Sequence, residues 1–226
     1  MAECAFGTVE RGLVAEGGPN EVGLPTFPSR RFVAAGGLTA LHDGLCEYEL
    51  VDVEGRGADA RAAALAVTIL RSVGSISNGP MAMRALPAGP ATPTPAAQLP
   101  GARRAEVVVH LGDRDPHALA DEAFTPILTG RFPGGDGRGD PEASGRALQV
   151  TGAEVSALTR RPDGRLELRL VNTTDAPAAV GLGGRTGERT DLAGEPTGER
   201  VVGSLELRPR EIATLALDEG AATPPA

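Results

Sequence analysis

The stretch LPTFPSRRFVAAGGLTALHDGLCEYELVD, residues 24–52, decides the fold class. Pro25 and Pro28 prevent a helix in its first half, because proline lacks a backbone donor and clashes with the preceding helical turn. The step His-Asp-Gly at 42–44 predicts a tight turn that ends a short strand around Leu38. Residues 45–53 then alternate charged and apolar side chains, which is typical of a half-buried strand. The segment therefore predicts short strands punctuated by turns.

The next segments extend this pattern. The apolar run 62–73 (AAALAVTILRSV) fits a buried strand or a helix by periodicity, and its β-branched centre at 67–69 favours the strand. Residues 79–101 contain six prolines and predict a meandering loop or linker. Residues 105–111 (AEVVVHL) predict another strand. All of these segments belong to one β-rich region.

One helix is predicted directly after residue 111. Asp115 is a capping residue and Pro116 occupies the first helical position. Four apolar side chains then share one helical face, namely Leu119, Ala120, Ala123 and Phe124. Residues 129–146 are rich in Gly, Pro, Asp and Arg, which predicts a surface loop.

A second β unit follows this loop. Leu166, Leu168 and Leu170 alternate with charged residues, residues 172–175 predict a turn, and further strands are predicted at 204–207 and 211–217. The final residues, GAATPPA, predict a frayed tail. The fold class is therefore mostly β, with a larger unit at 1–150 and a smaller terminal unit at 151–226.

The composition excludes several classes of partner. A net charge of −8 and an isoelectric point near 5.0 argue against nucleic acid, which requires clustered positive charge. The longest apolar run, 62–70, is too short to cross a bilayer, so we expect no membrane partner. Cys4 and Cys46 lack the close spacing of a thiolate metal site, and two free thiols in a cytoplasmic protein are favoured over a disulfide.

The three histidines do not form a metal motif. His42 and Asp43 are adjacent on a predicted strand, so their side chains point to opposite faces and would rarely bind one ion. His110 lies on another strand and His117 at the beginning of the helix. We therefore expect neither a metal site nor a bound cofactor in this chain.

The acidic residues give no catalytic assignment. Glu47 and Glu49 fall on one face of a strand, but such pairs are usually the solvated edge of a sheet. A retaining glycosidase needs two carboxyl groups about 5 to 5.5 Å apart, which spacing in sequence does not establish. No catalytic residue is predicted.

A glycosylation sequon occurs at Asn172-Thr173-Thr174. The pattern is short and common, and it matters in a secreted eukaryotic protein. We expect it to be silent here.

Four segments in order resemble bacterial α-mannosidases of glycoside hydrolase family 38, downstream of their catalytic domain. They are residues 24–52, LAVTILRSVGSIS (65–77), MRALPAGPATPTPAAQLPG (83–101) and LELRPREIATLAL (205–217). The resemblance covers roughly 20–217. It implies a large β-sandwich that is incomplete at its N-terminus, followed by a small terminal β domain. It departs at Arg210, where the family motif has an aromatic residue, and in the stretches 113–117 and 129–146.

The resemblance also implies a function. Family members hydrolyse terminal α-D-mannosides with retention, using zinc, an aspartate nucleophile and a general acid that all belong to a domain absent from this sequence. The chain would then act with a catalytic domain or chain, bind a mannoside through it, and be inactive alone. Arg71 ends the predicted buried strand, where an unpaired guanidinium would be costly and needs a carboxylate or a ligand as its partner. An arginine at the matching position reaches toward the sugar in the family, so the resemblance implies that Arg71 binds the substrate. The alternative role for Arg71 is an ion pair at a strand end.

Two other functions stay open from the residues. One is a stand-alone β-sandwich module that binds carbohydrate or protein without catalysis. The absence of Trp, the single Tyr and the five Phe offer little material for an exposed aromatic platform. The other is a decayed fragment without a function.

Overall fold

The computed structural model describes residues 1–44, 46–130, 146 and 148–219, without the side chain of Cys46. Its backbone contacts divide the chain into two units, Met1–Ala5 with Val9–Thr125, and Phe6–Thr8 with Pro126–Ala226. This division falls earlier in the chain than the boundary at 150 that the sequence suggested. Most of the loop predicted at 129–146, and the predicted tail, lie outside the described residues.

The first unit consists of short strands in two antiparallel sheets. The elements are β1 (Ala2–Cys4), β3 (Thr26–Ser29), β4 (Phe32–Ala35), β5 (Leu38–His42), β6 (Cys46–Glu54), β7 (Arg61–Thr68), β8 (Val107–Leu111) and α1 (Pro116–Phe124), with short 3-10 helices at Gly57–Asp59 and Pro95–Gln98. The short strand β2 (Gly7–Val9) is divided, and its first two residues belong to the second unit. Within the first unit, one sheet has the order β1–β4–β5–β8 and the other the order β3–β6–β7. The mostly β prediction is confirmed, and the sandwich implied by the resemblance stays a prediction.

The alternation in residues 45–53 produces the core face of β6. Tyr48 is buried and packs with Val33 of the first sheet and with Phe27 of β3, whose ring centroid lies 5.8 Å from that of Tyr48. Leu50 points to the same side because side chains alternate along a strand. The apolar half of the alternation therefore joins the two sheets of this unit.

Helix α1 begins as the sequence predicts. Asp115 Oδ1 accepts a hydrogen bond from the backbone N–H of His117 at 3.1 Å, and Pro116 is the first helical residue. Leu119 and Ala120 are buried against Phe32 and Leu41 of the first sheet. No helix in the described part of the chain has the length and apolar character needed to cross a membrane.

Strand β7 differs from its prediction. It ends at Thr68, not at residue 73, and none of its side chains is fully buried. β7 is the last strand in the order β3–β6–β7, so it pairs with β6 on one side, while Ile69 and Leu70 beyond its end are exposed. The prediction of a buried strand is therefore wrong, because hydropathy does not distinguish a covered strand from an edge strand.

The second unit is a single five-stranded antiparallel sheet of order β12–β11–β13–β10–β9. Its strands are β9 (Glu154–Arg160), β10 (Leu166–Val171), β11 (Ala178–Thr190), β12 (Pro196–Leu207) and β13 (Ile212–Leu217). Its core is one apolar cluster of Leu168, Leu170, Val180, Leu182, Val201, Leu207, Ala213, Leu215 and Leu217. The alternating leucines of β10 supply two of these side chains.

A bend at two glycines allows β11 to pair with two neighbouring strands, β12 and β13. Gly183 and Gly184 have φ of +59° and +78°, a left-handed conformation that glycine adopts without steric cost. Across this bend the pairing with β12 jumps from Gly181↔Ser204 to Thr186↔Val202. The second half of β11 also pairs with β13, which joins the β11–β12 pair to the rest of the sheet.

The side-chain amide of Asn172 forms hydrogen bonds within the second unit. The residue is fully buried, and its Nδ2 donates to the carbonyl oxygens of Ala176 at 2.7 Å and Arg208 at 2.9 Å. Its Oδ1 accepts from the backbone N–H of Thr174 at 3.0 Å. In the folded chain this amide nitrogen is therefore enclosed and already hydrogen bonded.

Arg210 has a structural role at the position where it departs from the family motif. Its φ is +58°, which is unusual for a residue with a side chain. Its Nε donates to Asp175 Oδ1 at 2.8 Å, and its Nη2 donates to the carbonyl oxygen of Thr8 at 3.0 Å. The guanidinium thus ties the 172–175 turn to residues 6–8, which belong to the same unit.

Candidate functional site

Arg71 lies in the open. Its side chain is 74% exposed, and its Nη1 stands 3.4 Å from Glu47 Oε2. The expectation that it ends a buried strand is wrong, because β7 stops at Thr68 and the strand is not covered. An ion pair this exposed stabilises a fold by less than about 1 kcal/mol. The guanidinium therefore has most of its donors available to a ligand.

Glu47 and Glu49 share the outer face of the three-stranded sheet. Tyr48 and Leu50 point into the core, so the two glutamates point away from it. Their strand β6 is the middle strand of β3–β6–β7 and not an edge. Glu49 pairs in register with Thr26 on one side and Ala66 on the other. Small neighbours on both sides leave room above these carboxylates.

An open cavity of about 510 Å³ covers this face, and we call it the Arg71 cavity. Its charged lining is four glutamates and one arginine: Glu16, Glu21, Glu47, Glu49 and Arg71. Residues 17, 18 and 22–24, Thr26 and Met83 complete the wall. The lining contains no aromatic side chain, so a ligand here would be held by hydrogen bonds rather than by stacking.

The loop that forms one wall of the Arg71 cavity folds tightly on itself. A Cβ atom on Gly17 would lie 2.5 Å from the carbonyl oxygen of Glu21, and one on Gly23 would lie 2.4 Å from that of Glu16. Both contacts are too short for any side chain, so glycine is required at each position. The backbone N–H of Val22 then donates to the carbonyl oxygen of Met83 at 2.7 Å, which attaches the loop to the proline-rich segment.

The histidines are not brought together into a metal centre. His42 is buried, with Nε2 2.8 Å from Ser29 Oγ and Nδ1 2.8 Å from the carbonyl oxygen of Gly44. Burial lowers the pKa of His42. His110 is half-buried on β8, and His117 packs edge-on against Phe32 with ring centroids 5.0 Å apart.

Zinc does not fit the described residues. Among them, no group of three or more His, Cys, Asp and Glu side chains could hold a metal ion. Both ring nitrogens of His42 already have protein partners. Cys4 carries a free, half-buried thiol. The zinc implied by the family resemblance would therefore have to be held by residues outside this set, as the resemblance itself implies.

A buried ion pair near α1 was not predicted. Glu3 is buried, and its carboxylate accepts from Arg31 Nη2 at 2.7 Å and from Arg31 Nε at 2.9 Å. Arg31 Nη1 also donates to Asp121 Oδ1 at 2.7 Å. The hydrogen bonds that Arg31 donates to the Glu3 carboxylate raise the pKa of Arg31 above its usual value. This group links β1, the loop before β4 and α1, and it serves the fold of the first unit.

Comparisons with family models, curated proteins and solved structures gave no match. The likeness to family 38 thus rests on the motifs in the sequence. Sequence reasoning identified Arg71. It placed Glu47 and Glu49 on one strand face but gave them no functional role, and it missed Glu16 and Glu21. The one signal for these two is the glycine-rich stretch 16–23, which lets their loop fold back over the sheet.

Proposed function

We propose that this chain supplies the β-region wall of a retaining α-mannosidase of glycoside hydrolase family 38, with the Arg71 cavity facing the sugar. The observation that carries the proposal is the exposed guanidinium of Arg71, paired with Glu47 at the rim of an open polar cavity. The order of four family-like segments supports it independently, and Arg71 lies within the second of them.

The lining chemistry suits a polyol. A guanidinium offers a planar set of donors to sugar oxygens, and carboxylates accept from sugar hydroxyls. Glu47 would hold Arg71 in one direction, so that less rotamer freedom is lost when a ligand binds. This chain would therefore contribute binding and orientation of the mannoside.

In this proposal the reacting groups belong to a different domain or chain. Catalytic zinc would supply Lewis-acid and orienting chemistry in a separate domain or chain, together with the nucleophile and the general acid. The purified chain should then release no 4-nitrophenol from 4-nitrophenyl α-D-mannoside, with or without added zinc. Hydrolysis by the chain alone, with stoichiometric zinc binding, would contradict the proposal.

A chimera tests the contribution of Arg71. The chain would be fused after the catalytic domain of a bacterial family 38 α-mannosidase in place of its own β region. Loss of one charged hydrogen-bonding group from the sugar site, in the Arg71→Ala variant, should reduce kcat/KM about 10- to 100-fold.

Arg61→Ala is the matched control. Arg61 is an exposed arginine at the first position of β7, the strand that precedes Arg71, and its Nη1 donates to the carbonyl oxygens of Ala58 and Ala60. This variant should leave kcat/KM unchanged. Equal thermal melting of both variants would show that the fold is intact. A folded, active chimera that is indifferent to Arg71→Ala would refute the role of the cavity.

A further inference from the structure

We propose that two copies of this chain associate through β8, with their sheets joined edge to edge around a two-fold axis at Val109. β8 is the last strand in the order β1–β4–β5–β8, and no strand among the described residues pairs with its other side. Four of its five side chains are exposed: Val107 at 42%, Val108 at 37%, Val109 at 60% and Leu111 at 74%. An open, apolar edge is a template for another strand.

The backbone of β8 presents its free hydrogen-bonding groups at three of these residues. Gly112 N–H donates to the carbonyl oxygen of Gly37 at 2.8 Å, which continues the β5–β8 ladder by one pair. Hydrogen-bonded pairs alternate along an antiparallel ladder, so His110 and Val108 bond to β5 as well. Val107, Val109 and Leu111 therefore direct their N–H and C=O groups away from β5.

A two-fold axis at Val109 matches these groups with each other. Val109 would pair with Val109 of the second copy, and Val107 with Leu111 of the second copy. All three resulting pairs are of the hydrogen-bonded type, which gives roughly six new backbone hydrogen bonds. Val107, Val109 and Leu111 lie on one face of the strand, so their side chains form cross-strand apolar contacts along the whole joint.

The charges beside the strand favour a second copy in this direction. The segment before β8 contains Arg103, Arg104 and Glu106 and has a net charge of +1, and the segment after it contains Asp113, Arg114 and Asp115 and has a net charge of −1. Antiparallel pairing at Val109 brings the segment before β8 of one copy next to the segment after β8 of the second copy. Within one copy, Arg104 lies 3.8 Å from Glu106 and Arg114 lies 2.6 Å from Glu122. A parallel arrangement would instead place like charges together.

Sedimentation velocity of the full chain tests the proposal. The wild-type chain should sediment as a dimer at micromolar concentration. Val109→Lys places two ammonium groups at the axis, so the dissociation constant should rise at least about 30-fold. Val202→Lys is the control, since Val202 is 69% exposed on the outermost strand of the second unit, and it should leave the dimer intact.

A cross-linking variant keeps the test sharp if Val109→Lys folds poorly. Hydrogen-bonded antiparallel partners have Cα atoms about 5.5 Å apart, within the range of a disulfide. Val109→Cys should therefore form a disulfide-linked dimer under mild oxidation, beyond any background from the native cysteines of the wild type. A monomeric wild type, a dimer that survives Val109→Lys, or assembly with a different protein through this edge would each overturn the proposal.

Discussion

The two units of this chain are stabilised in different ways. The second unit has nine fully or nearly fully buried apolar side chains in one cluster around one sheet. The first unit has two smaller apolar clusters and adds a buried carboxylate and a buried imidazole that depend on specific partners. Apolar burial is insensitive to pH, whereas ionic and imidazole contacts are not. The first unit should therefore respond to charge and pH, and the second to lost volume.

The sheet edges show the same contrast. In the second unit β9 carries an extra residue, Ser156, where the pairing with β10 shifts, and β12 is interrupted near Gly203, where φ is +70°. Bulges of this kind protect an edge from further pairing. β8 in the first unit has no register shift and no charged residue, proline or glycine within Val107–Leu111. The edge strands β9 and β12 of the second unit therefore disfavour pairing with a further strand, whereas β8 of the first unit is open to such pairing.

The largest expected effect is on the core of the second unit. Leu215 is fully buried on β13, so Leu215→Ala should lower the free energy of unfolding by about 3–4 kcal/mol, through lost burial and a residual cavity. Urea denaturation measures this change. Val202→Ala, at an exposed position of the same sheet, should change it by less than about 0.5 kcal/mol. Equal losses in both variants would remove the basis for a single central core.

The next effect concerns the ion pair of the first unit. Glu3→Ala leaves Arg31 without its main partner and should destabilise the unit by about 2–3 kcal/mol. Asp121→Asn removes the more exposed partner of the same guanidinium and should lose less than about 1 kcal/mol. Hydrogen exchange of the β4 amides follows the first unit locally. Unchanged protection in Glu3→Ala would show that apolar packing suffices there.

His42 should make stability depend on pH. Burial lowers its pKa in the folded chain, so the unfolded state binds more protons once the pH falls to about 6.5. The free energy of unfolding should therefore decrease by up to about 1.4 kcal/mol between pH 7.5 and 5.5. In His42→Gln this decrease should be smaller, whereas His110→Gln at a half-exposed position should retain it. A steeper decrease in His42→Gln would reverse the assigned sign.

The smallest effect separates the hydrogen bonds of Arg210 from its backbone strain. Arg210→Ala and Arg210→Gly both remove the contacts to Asp175 and Thr8. Glycine alone relieves the positive φ of 58°, so the glycine variant should be about 1 kcal/mol more stable than the alanine variant. Equal melting temperatures for the two variants would show that this conformation stores no strain.

Much of the fold follows from local patterns. The alternation at 45–53 and 166–170 predicted β6 and β10, and the Asp115–Pro116 step predicted the beginning of α1. The strand predicted at 204–207 is the last part of β12, but β11 and the first part of β12 were missed. The stretch GLGGRTGERT (181–190) in β11 shows no alternation, because its glycines bend the strand instead of filling a face. The exposure of β7 was missed because a run of alanines and leucines does not reveal what lies beside it.

The candidate site was less accessible to sequence reasoning. The shared face of Glu47 and Glu49 follows from the spacing of strand residues. Arg71 was singled out by its place at the end of an apolar run and by resemblance. Glu16 and Glu21 reach the same cavity because Gly17 and Gly23 allow a loop to fold back across the sheet. That closure depends on contacts with a segment around Met83, far along the chain, and no local pattern encodes it.

Because the amide of Asn172 is enclosed in the fold, its glycosylation in a secretory host would depend on how fast the second unit folds. An oligosaccharyltransferase needs the side-chain nitrogen free, and the folded second unit directs that nitrogen to the carbonyl oxygens of Ala176 and Arg208. Any glycan on Asn172 would have been attached before β10 and β13 came together, and it would then keep them apart. The glycosylated fraction would thus measure the share of chains that were modified before their second unit folded.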